Sequence, residues 1–318
     1  MAGKERRNHN NAPLPPSSVV GSYRIERKIS AGGFGAVYAA RRIRDGQAVA
    51  IKEFLPTVID CRQSGEHIRI RDRDQYNRFQ EGLQSFFREA DLVSRLSHPQ
   101  IIAIWDVFEA NGTAYFAMPL ERGMSLAGII KGTPDGIPDA DILNIFRQAT
   151  SGVGALHQSG LLHLDIKPSN LWVRPDGTVV VLDLGTSQWE DHEGRLTNLA
   201  RTPGFAAPEQ HGGRRGGRLS PRTDVYGMAA SIYMAIEGTP PDTAVDRLSH
   251  RRADGSERNP IRQTRMGQRC PDILDIVDCG MRLEPDLRFQ SMSDMADALA
   301  DAARPMHLSR TNLTDDLR

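Results

Sequence analysis

Three residue types that can move a phosphoryl group stand within one short stretch, His163-Leu164-Asp165-Ile166-Lys167-Pro168-Ser169-Asn170. The Asp165 carboxylate can accept a hydroxyl proton, the Lys167 ammonium can neutralise phosphate charge, and the Asn170 amide oxygen can ligate a hard divalent cation. Further on, Asp183 closes the apolar run Val179-Val180-Val181-Leu182 and begins Asp183-Leu184-Gly185. A carboxylate leaving a buried strand is costly unless paired or metal-bound. Upstream, Ser30-Ala31-Gly32-Gly33-Phe34-Gly35-Ala36-Val37 lacks the side chains that would keep backbone N–H groups away from phosphate oxygens. A glycine-rich hairpin turn gives the same pattern, so this run alone leaves both readings open. Strand-like residues on each side argue against a dinucleotide fingerprint or a Walker loop, both of which pass into a helix. Lys52 ends the strand-like run Val49-Ala50-Ile51-Lys52, where its ammonium can act on phosphates as a point charge. Glu89 is the candidate carboxylate to hold it, with a solvated helix face as the alternative.

These groups need elements to position them. Strand-like runs at 23–29, 36–40 and 47–53, the last two joined by Asp45-Gly46, form an antiparallel meander. Phe79, Leu83, Phe86, Phe87, Ala90 and Val93 recur at helical steps, predicting one helix over about 76–96. Two more strands, about 101–109 and 114–118, flank Asn111-Gly112. After Gly123 the pattern becomes helical, with amphipathic runs around 142–156, 225–236, 271–283 and 291–303. The order reads as α+β in two lobes: a five-stranded sheet with one helix, then a mostly helical half. Residues 1–20 are polar and rich in Pro and Ser and are expected to form a flexible tail, and 304–318 reads as a C-terminal tail without a membrane-binding or lipidation signal.

The chain of 318 residues exceeds the roughly 250–300 at which a single core stops growing, so two packed units or one large domain are expected. Forty Lys and Arg balance forty Asp and Glu, so the overall field gives no reason to expect a nucleic-acid or anionic-membrane partner. No apolar run is long enough to span a bilayer, and Cys61, Cys270 and Cys279 lie in no zinc-ligand spacing. An odd, scattered set of thiols fits a reducing compartment, so a cytoplasmic location is expected.

Taken in order, the glycine loop, Val-Ala-Ile-Lys, Glu89, the 163–170 loop and Asp183-Leu184-Gly185 resemble the protein kinases, most closely the eukaryotic-like Ser/Thr kinases of bacteria. The resemblance runs from about Tyr23 to Ala303 and includes Ala207-Pro208-Glu209, Asp224 and Arg288. It implies a kinase domain over 21–303, with an N-lobe to about 120, a C-lobe from about 121, and ATP in the cleft between them. By that resemblance Ser30, Gly32, Gly33, Phe34, Gly35, Val37, Ala50, Lys52, Met118, Leu120 and Trp172 contact nucleotide. Lys52, Glu89, Asp165 and Lys167 serve catalysis, and Asn170 and Asp183 hold Mg2+, or Mn2+ in its place. Glu209 should pair with Arg288, and Asp224 should accept amide hydrogen bonds from the catalytic loop, a role that an ordinary helix N-cap would mimic. Lys167 with Thr202 is the Ser/Thr-kinase form of these loops, so protein Ser and Thr hydroxyls are the expected acceptors. A pseudokinase scaffold and a small-molecule phosphotransferase of the aminoglycoside type are the rivals.

Several positions depart from the family. Ser30 replaces the first loop glycine, Leu184 replaces the usual Phe, and Leu164 takes the place of the arginine that would bind an activation-loop phosphate. Activity that needs no phosphorylation between Asp183 and Glu209 is therefore expected. Trp172 either lines the adenine site or fills the core. The charged stretch 56–80 reads as an insertion with its own short structure, and the Arg-rich runs 211–218 and 247–269 as solvated loops.

Overall fold

The computed structural model describes residues 11–33, 35–59, 61–62, 65–183, 188–189, 202–211, 218–254 and 271–304, with side chains except at 89, 188–189 and 252–254. It divides into two compact units, Met1–Ser97 with Ile102–Glu121, and His98–Ile101 with Arg122–Arg318.

The first unit is built on β1 (Val19–Val20), β2 (Tyr23–Ala31), β3 (Gly35–Arg42), β4 (Ala48–Phe54), α1 (Arg73–Ser94), β5 (Asp106–Ala110) and β6 (Thr113–Pro119). The sheet order is β1-β2-β3-β4-β6-β5, and every neighbouring pair is antiparallel. Six strands replace the expected five, because Val19–Val20 adds an edge strand to β2. Asn111 and Gly112 both take positive φ, +53° and +76°, as the tight hairpin between β5 and β6 requires. β5 starts at Asp106 and not near 101, since Ile101 instead bridges Val181 in the second unit. α1 is N-capped by Asp72, whose carboxylate accepts from the Gln75 amide at 2.8 Å. Its aromatic stripe packs on the sheet through Phe54, Phe86 and Phe116, with ring centroids 5.0–5.7 Å apart.

The structure corrects the flexible-tail reading for residues 11–20. Leu14 is buried, its amide donates to the Tyr38 hydroxyl at 3.1 Å, and Ser17 donates to the Ile25 carbonyl at 2.8 Å. Composition hid this because the ordering comes from contacts remote in sequence. Opposite Lys52 on β4, the Glu53 carboxylate points to the other sheet face. There it accepts from Tyr38 Oη and Tyr115 Oη, each at 2.7 Å, and forms a two-pronged ion pair with Arg62 at 2.9 and 2.7 Å. Both charged side chains are 0% exposed. Arg62, part of the charged stretch read as an insertion with its own short structure, is thus an interior residue of this unit.

The second unit contains β7 (Met124–Ser125), α2 (Leu126–Gly132), α3 (Asp139–Gln158), β8 (Leu161–Leu162), β9 (Leu171–Val173), β10 (Val179–Val181), β11 (Gln188–Trp189), α4 (Pro221–Glu237), α5 (Ala244–Asp254), α6 (Pro271–Gly280) and α7 (Met292–Ala303). α4 is apolar on nearly every side and forms the centre, begun by Pro221 and the Ser220/Thr223 capping box and ended by Gly238 at φ +77°. α3 packs on α7 and α4 on α6. The strands β10-β9-β7 form one small sheet and β11-β8 another. Within the run read as solvated loop, Arg247 is buried, donating to the Tyr226 hydroxyl at 3.1 Å and the Met281 carbonyl at 2.8 Å. Among the described residues no helix is long and apolar enough to cross a membrane.

Candidate active site

In the first unit, strand alternation gathers one set of the expected nucleotide contacts. Val37 pairs with Lys52, and Ala50 with Met118, so Val37, Ala50, Lys52 and Met118 share one sheet face, the face that α1 covers. Lys52 is largely buried there, its ammonium 5.2 Å from the centre of the Phe116 ring. Ser30 pairs with Val37 at the end of β2, and the Gly32 amide closes the loop on the Gly35 carbonyl at 2.8 Å. Gly32 and Gly33 are exposed, with nothing within 4 Å of where a side chain would begin. Gly35 is different: a Cβ there would lie 2.1 Å from the Glu53 carbonyl oxygen, so only glycine fits between β3 and β4. Leu120 follows β6 and is half-buried. Phe34, the Glu89 side chain, Leu184 and Gly185 lie outside the described residues.

In the second unit the 163–170 loop is held from below by Asp224. Its Oδ2 accepts from the His163 amide at 2.8 Å and its Oδ1 from the Leu164 amide at 2.7 Å, while His157 Nε2 meets Oδ2 at 2.8 Å. Burial pushes the Asp224 carboxyl up, but the hydrogen bond and charge of His157, with His163 and the Leu164 amide, outweigh it and hold the group below the usual carboxylate range. The helix N-cap is Ser220, so Asp224 is not the cap but the acceptor for the 163–170 loop. Leu164 is buried in the left-handed region at φ +64°, and its carbonyl accepts from Gln210 Nε2 at 2.8 Å. His157 and Gln210 were not legible from sequence spacing; a polar residue on an otherwise apolar helix face was the only available signal for the histidine.

Above this base, Asp165 is buried and fully engaged. Lys167 Nζ donates to its Oδ2 at 2.6 Å and to Thr202 Oγ1 at 2.9 Å, and the Thr202 hydroxyl donates to Asp165 Oδ1 at 2.7 Å. Asn170 Nδ2 donates to the Asp165 carbonyl at 2.9 Å and to Oδ2 at 3.3 Å. Asn170 thus has its amide nitrogen committed inward, while its Oδ1, which accepts a long bond from the Ser169 hydroxyl at 3.5 Å, is the atom of the type suited to a hard cation. The Asn170 carbonyl accepts from the Leu182 amide at 2.8 Å, which ties this loop to the residue before Asp183. Asp183 is exposed at φ +56°. Asn170 and Asp183 thus offer two hard oxygen donors, one neutral and one anionic, the donor chemistry that a hard divalent cation takes. Trp172, in the middle of β9, is half-buried and not in the core, with Nε1 donating to the Arg122 carbonyl at 3.0 Å.

Farther below, Arg288 clasps Glu209 at 2.8 and 3.0 Å, with both side chains buried and Thr223 Oγ1 adding a bond at 2.9 Å. This is the pairing expected from the sequence.

A family profile described as the protein kinase domain matches residues 23–297. The Ser/Thr-protein kinase PknF of Mycobacterium tuberculosis is 29% identical over 302 residues, covering 90% of this chain and 57% of PknF. PknD of the same organism is 30% identical over 290 residues, covering 90% of this chain and 40% of PknD. PknA is 28% identical over 297 residues, covering 91% and 63%. The chain thus spans about 40–63% of the length of these relatives. Among solved structures, the apo form of PpkA-294 superposes with a TM-score of 0.77 at 31% identity, covering 90% of this chain and 99% of that one.

Proposed function

The chain belongs to the protein kinase family, in its bacterial eukaryotic-like Ser/Thr branch, and on that basis we propose that it transfers the γ-phosphoryl of ATP to Ser and Thr hydroxyls of proteins, its own among them. The observation that carries this reading is the closed chain Lys167–Thr202–Asp165, which places a carboxylate, an ammonium and a hydroxyl in one hydrogen-bonded set. In the reaction the acceptor oxygen forms a bond to the γ-phosphorus as the bond to the β,γ-bridging oxygen breaks, ADP leaves, and the acceptor proton passes to Asp165. Lys167 neutralises charge on the transferring group while Thr202 keeps Asp165 facing the acceptor. Asn170 and Asp183 would hold Mg2+ or Mn2+, which when bound neutralises the phosphates. Lys52 and the Gly32–Gly35 loop would hold the triphosphate, with Val37, Ala50, Met118, Leu120 and Trp172 around the base.

Leu164 supports turnover without an activation-loop phosphate. A buried leucine stands immediately before Asp165, where a guanidinium would otherwise read such a phosphate. Titrating the full chain with ATP in the presence and absence of Mg2+, alongside a coupled assay of ADP release with a protein acceptor, tests the reading. Mg2+-dependent binding with acceptor-dependent ADP release is expected. Binding without ADP release would make the protein a scaffold, and ADP release driven only by small alcohols or amino-sugars would make it a small-molecule kinase.

A further inference from the structure

None of the proposed chemistry uses the segment before β1, yet the Asn11 side chain is bound at both ends. Its Nδ2 donates to the carbonyls of Pro56 at 2.9 Å and Ile59 at 3.0 Å, and its Oδ1 accepts from the amides of Cys61 at 2.9 Å and Arg62 at 3.1 Å. A primary amide has two donor hydrogens and one acceptor oxygen, so this is its full complement. All four partners belong to the turn that follows β4.

That turn reaches the glycine loop. The Thr57 amide donates to the Gly33 carbonyl at 3.0 Å, and the Thr57 hydroxyl lies 3.4 Å from the same oxygen. Because a peptide unit is planar and rigid, fixing that carbonyl fixes the plane of its whole peptide group. The turn is anchored at its other end by Arg62. The guanidinium of Arg62 holds the buried Glu53 carboxylate, and its Nε donates to the Ala12 carbonyl at 2.8 Å. Ala12 returns a bond from its amide to the Arg62 carbonyl at 2.8 Å. Glu53 in turn presents the backbone oxygen against which Gly35 sits. Asn11 therefore braces a turn that touches the loop at Gly33 and is pinned beside the strand that backs Gly35.

We infer that Asn11 is a positioning residue for the phosphate-binding loop, acting through the 56–62 turn on the Gly33 carbonyl. The inference rests on the reading of that loop as the ATP-phosphate cradle, although the bracing can be measured without nucleotide. In Asn11→Ala the loop spends less time in its braced form. A fall of that population to about one in five raises the apparent Kd and KM for ATP about fivefold. Loss of a uniform binding contribution leaves kcat within about twofold, and KM for the protein acceptor does not move.

The test has two arms on the full chain. In the first, amide hydrogen exchange over 30–37 is compared between wild type and Asn11→Ala without nucleotide, and faster exchange in the variant is expected. In the second, steady-state kinetics separate KM for ATP, KM for acceptor and kcat. Ala12→Pro, which removes the donor to the Arg62 carbonyl and also restricts the backbone at Asn11, loosens the same brace by a second route and is expected to move both readouts in the same direction. Each variant is assayed well below its own melting temperature. Folded variants with wild-type exchange in the loop and wild-type KM for ATP would overturn the inference, even if they melt earlier, because Asn11 would then only stabilise. Should wild type show no turnover at all, the kinase reading falls, and the exchange arm alone decides the bracing.

Discussion

Replacing Arg62 by methionine should destabilise the first unit far more than removing a surface charge. Arg62 and Glu53 are both 0% exposed, so the substitution leaves a carboxylate in the interior without its cation. Losing one partner of such a pair costs about 3–5 kcal/mol. The carbonyls of Ala12 and Glu66, which accept from the guanidinium at 2.8 Å each, lose a donor worth roughly 1 kcal/mol apiece. Against this, the Tyr38 and Tyr115 hydroxyls still donate to Glu53 and offset a comparable amount. The balance is a loss of about 4 kcal/mol, a large part of the roughly 5–15 kcal/mol that holds a typical protein folded. Urea denaturation read by circular dichroism measures it as a lowered midpoint at unchanged slope. The Glu53→Gln/Arg62→Met double variant removes the stranded charge, keeps a carbonyl oxygen for one phenol and offers an NH2 donor to the other phenol oxygen, and should recover about 2 kcal/mol. A loss below about 1 kcal/mol in Arg62→Met, the size expected of an exposed pair, would refute the reasoning.

Thr202→Ala should lower kcat about 10–100-fold with little change in KM for ATP, because Asp165 and Lys167 lose the hydroxyl that joins them; Thr202→Ser should restore most of it in the same steady-state assay. Asp224 sits below the usual carboxylate range of about 3.9 in the folded chain, so the unfolded chain binds its proton first as pH falls. The stability it adds is complete above that range and lost on acidification through the folded value, and Asp224→Asn should flatten that acid limb in melts taken between about pH 5 and 2. Tyr38 and Tyr115 show the opposite sign. Burial, with the Glu53 carboxylate beside them, pushes both phenols up, so their contribution is complete below about pH 10 and declines above it as the unfolded chain ionises. The Tyr38→Phe/Tyr115→Phe variant should lose that alkaline decline. ATP should alter tryptophan emission through Trp172, and a change that persists in Trp172→Phe would remove this residue from the nucleotide site.

The parts of the candidate site legible in the sequence are those whose chemistry is written in consecutive residues. Lys52 at a strand end, Asp165 through Asn170 in one loop and Asp183 after an apolar run declare themselves by type and spacing. Thr202 beside Asp165 and Arg288 on Glu209, each far apart in the chain, followed from the family resemblance and stand in the structure as expected. What escaped is held by contacts that neither periodicity nor motif order encodes. Asn11 bonds residues 45–51 positions away, and in a stretch of Asn, Pro and Ser nothing local signals it. Arg62 sits in a charged stretch read as an insertion and Arg247 in a run read as a solvated loop, yet each is buried, Arg62 against the Glu53 carboxylate and Arg247 against the Met281 carbonyl and the Tyr226 phenol. Gln210 spans the Leu164 carbonyl and the Ala207 amide, a bridge that only the folded loops bring about.

The central claim, phosphoryl transfer from ATP to protein hydroxyls through Asp165, is tested most directly by mapping phosphosites after incubating wild type and Asp165→Asn with γ-labelled ATP, Mg2+ and a mixture of proteins. The account predicts acid-stable label on Ser and Thr with wild type, reduced about 10²–10⁴-fold in the variant. Equal labelling by the two proteins, or none by wild type despite nucleotide binding, would contradict it.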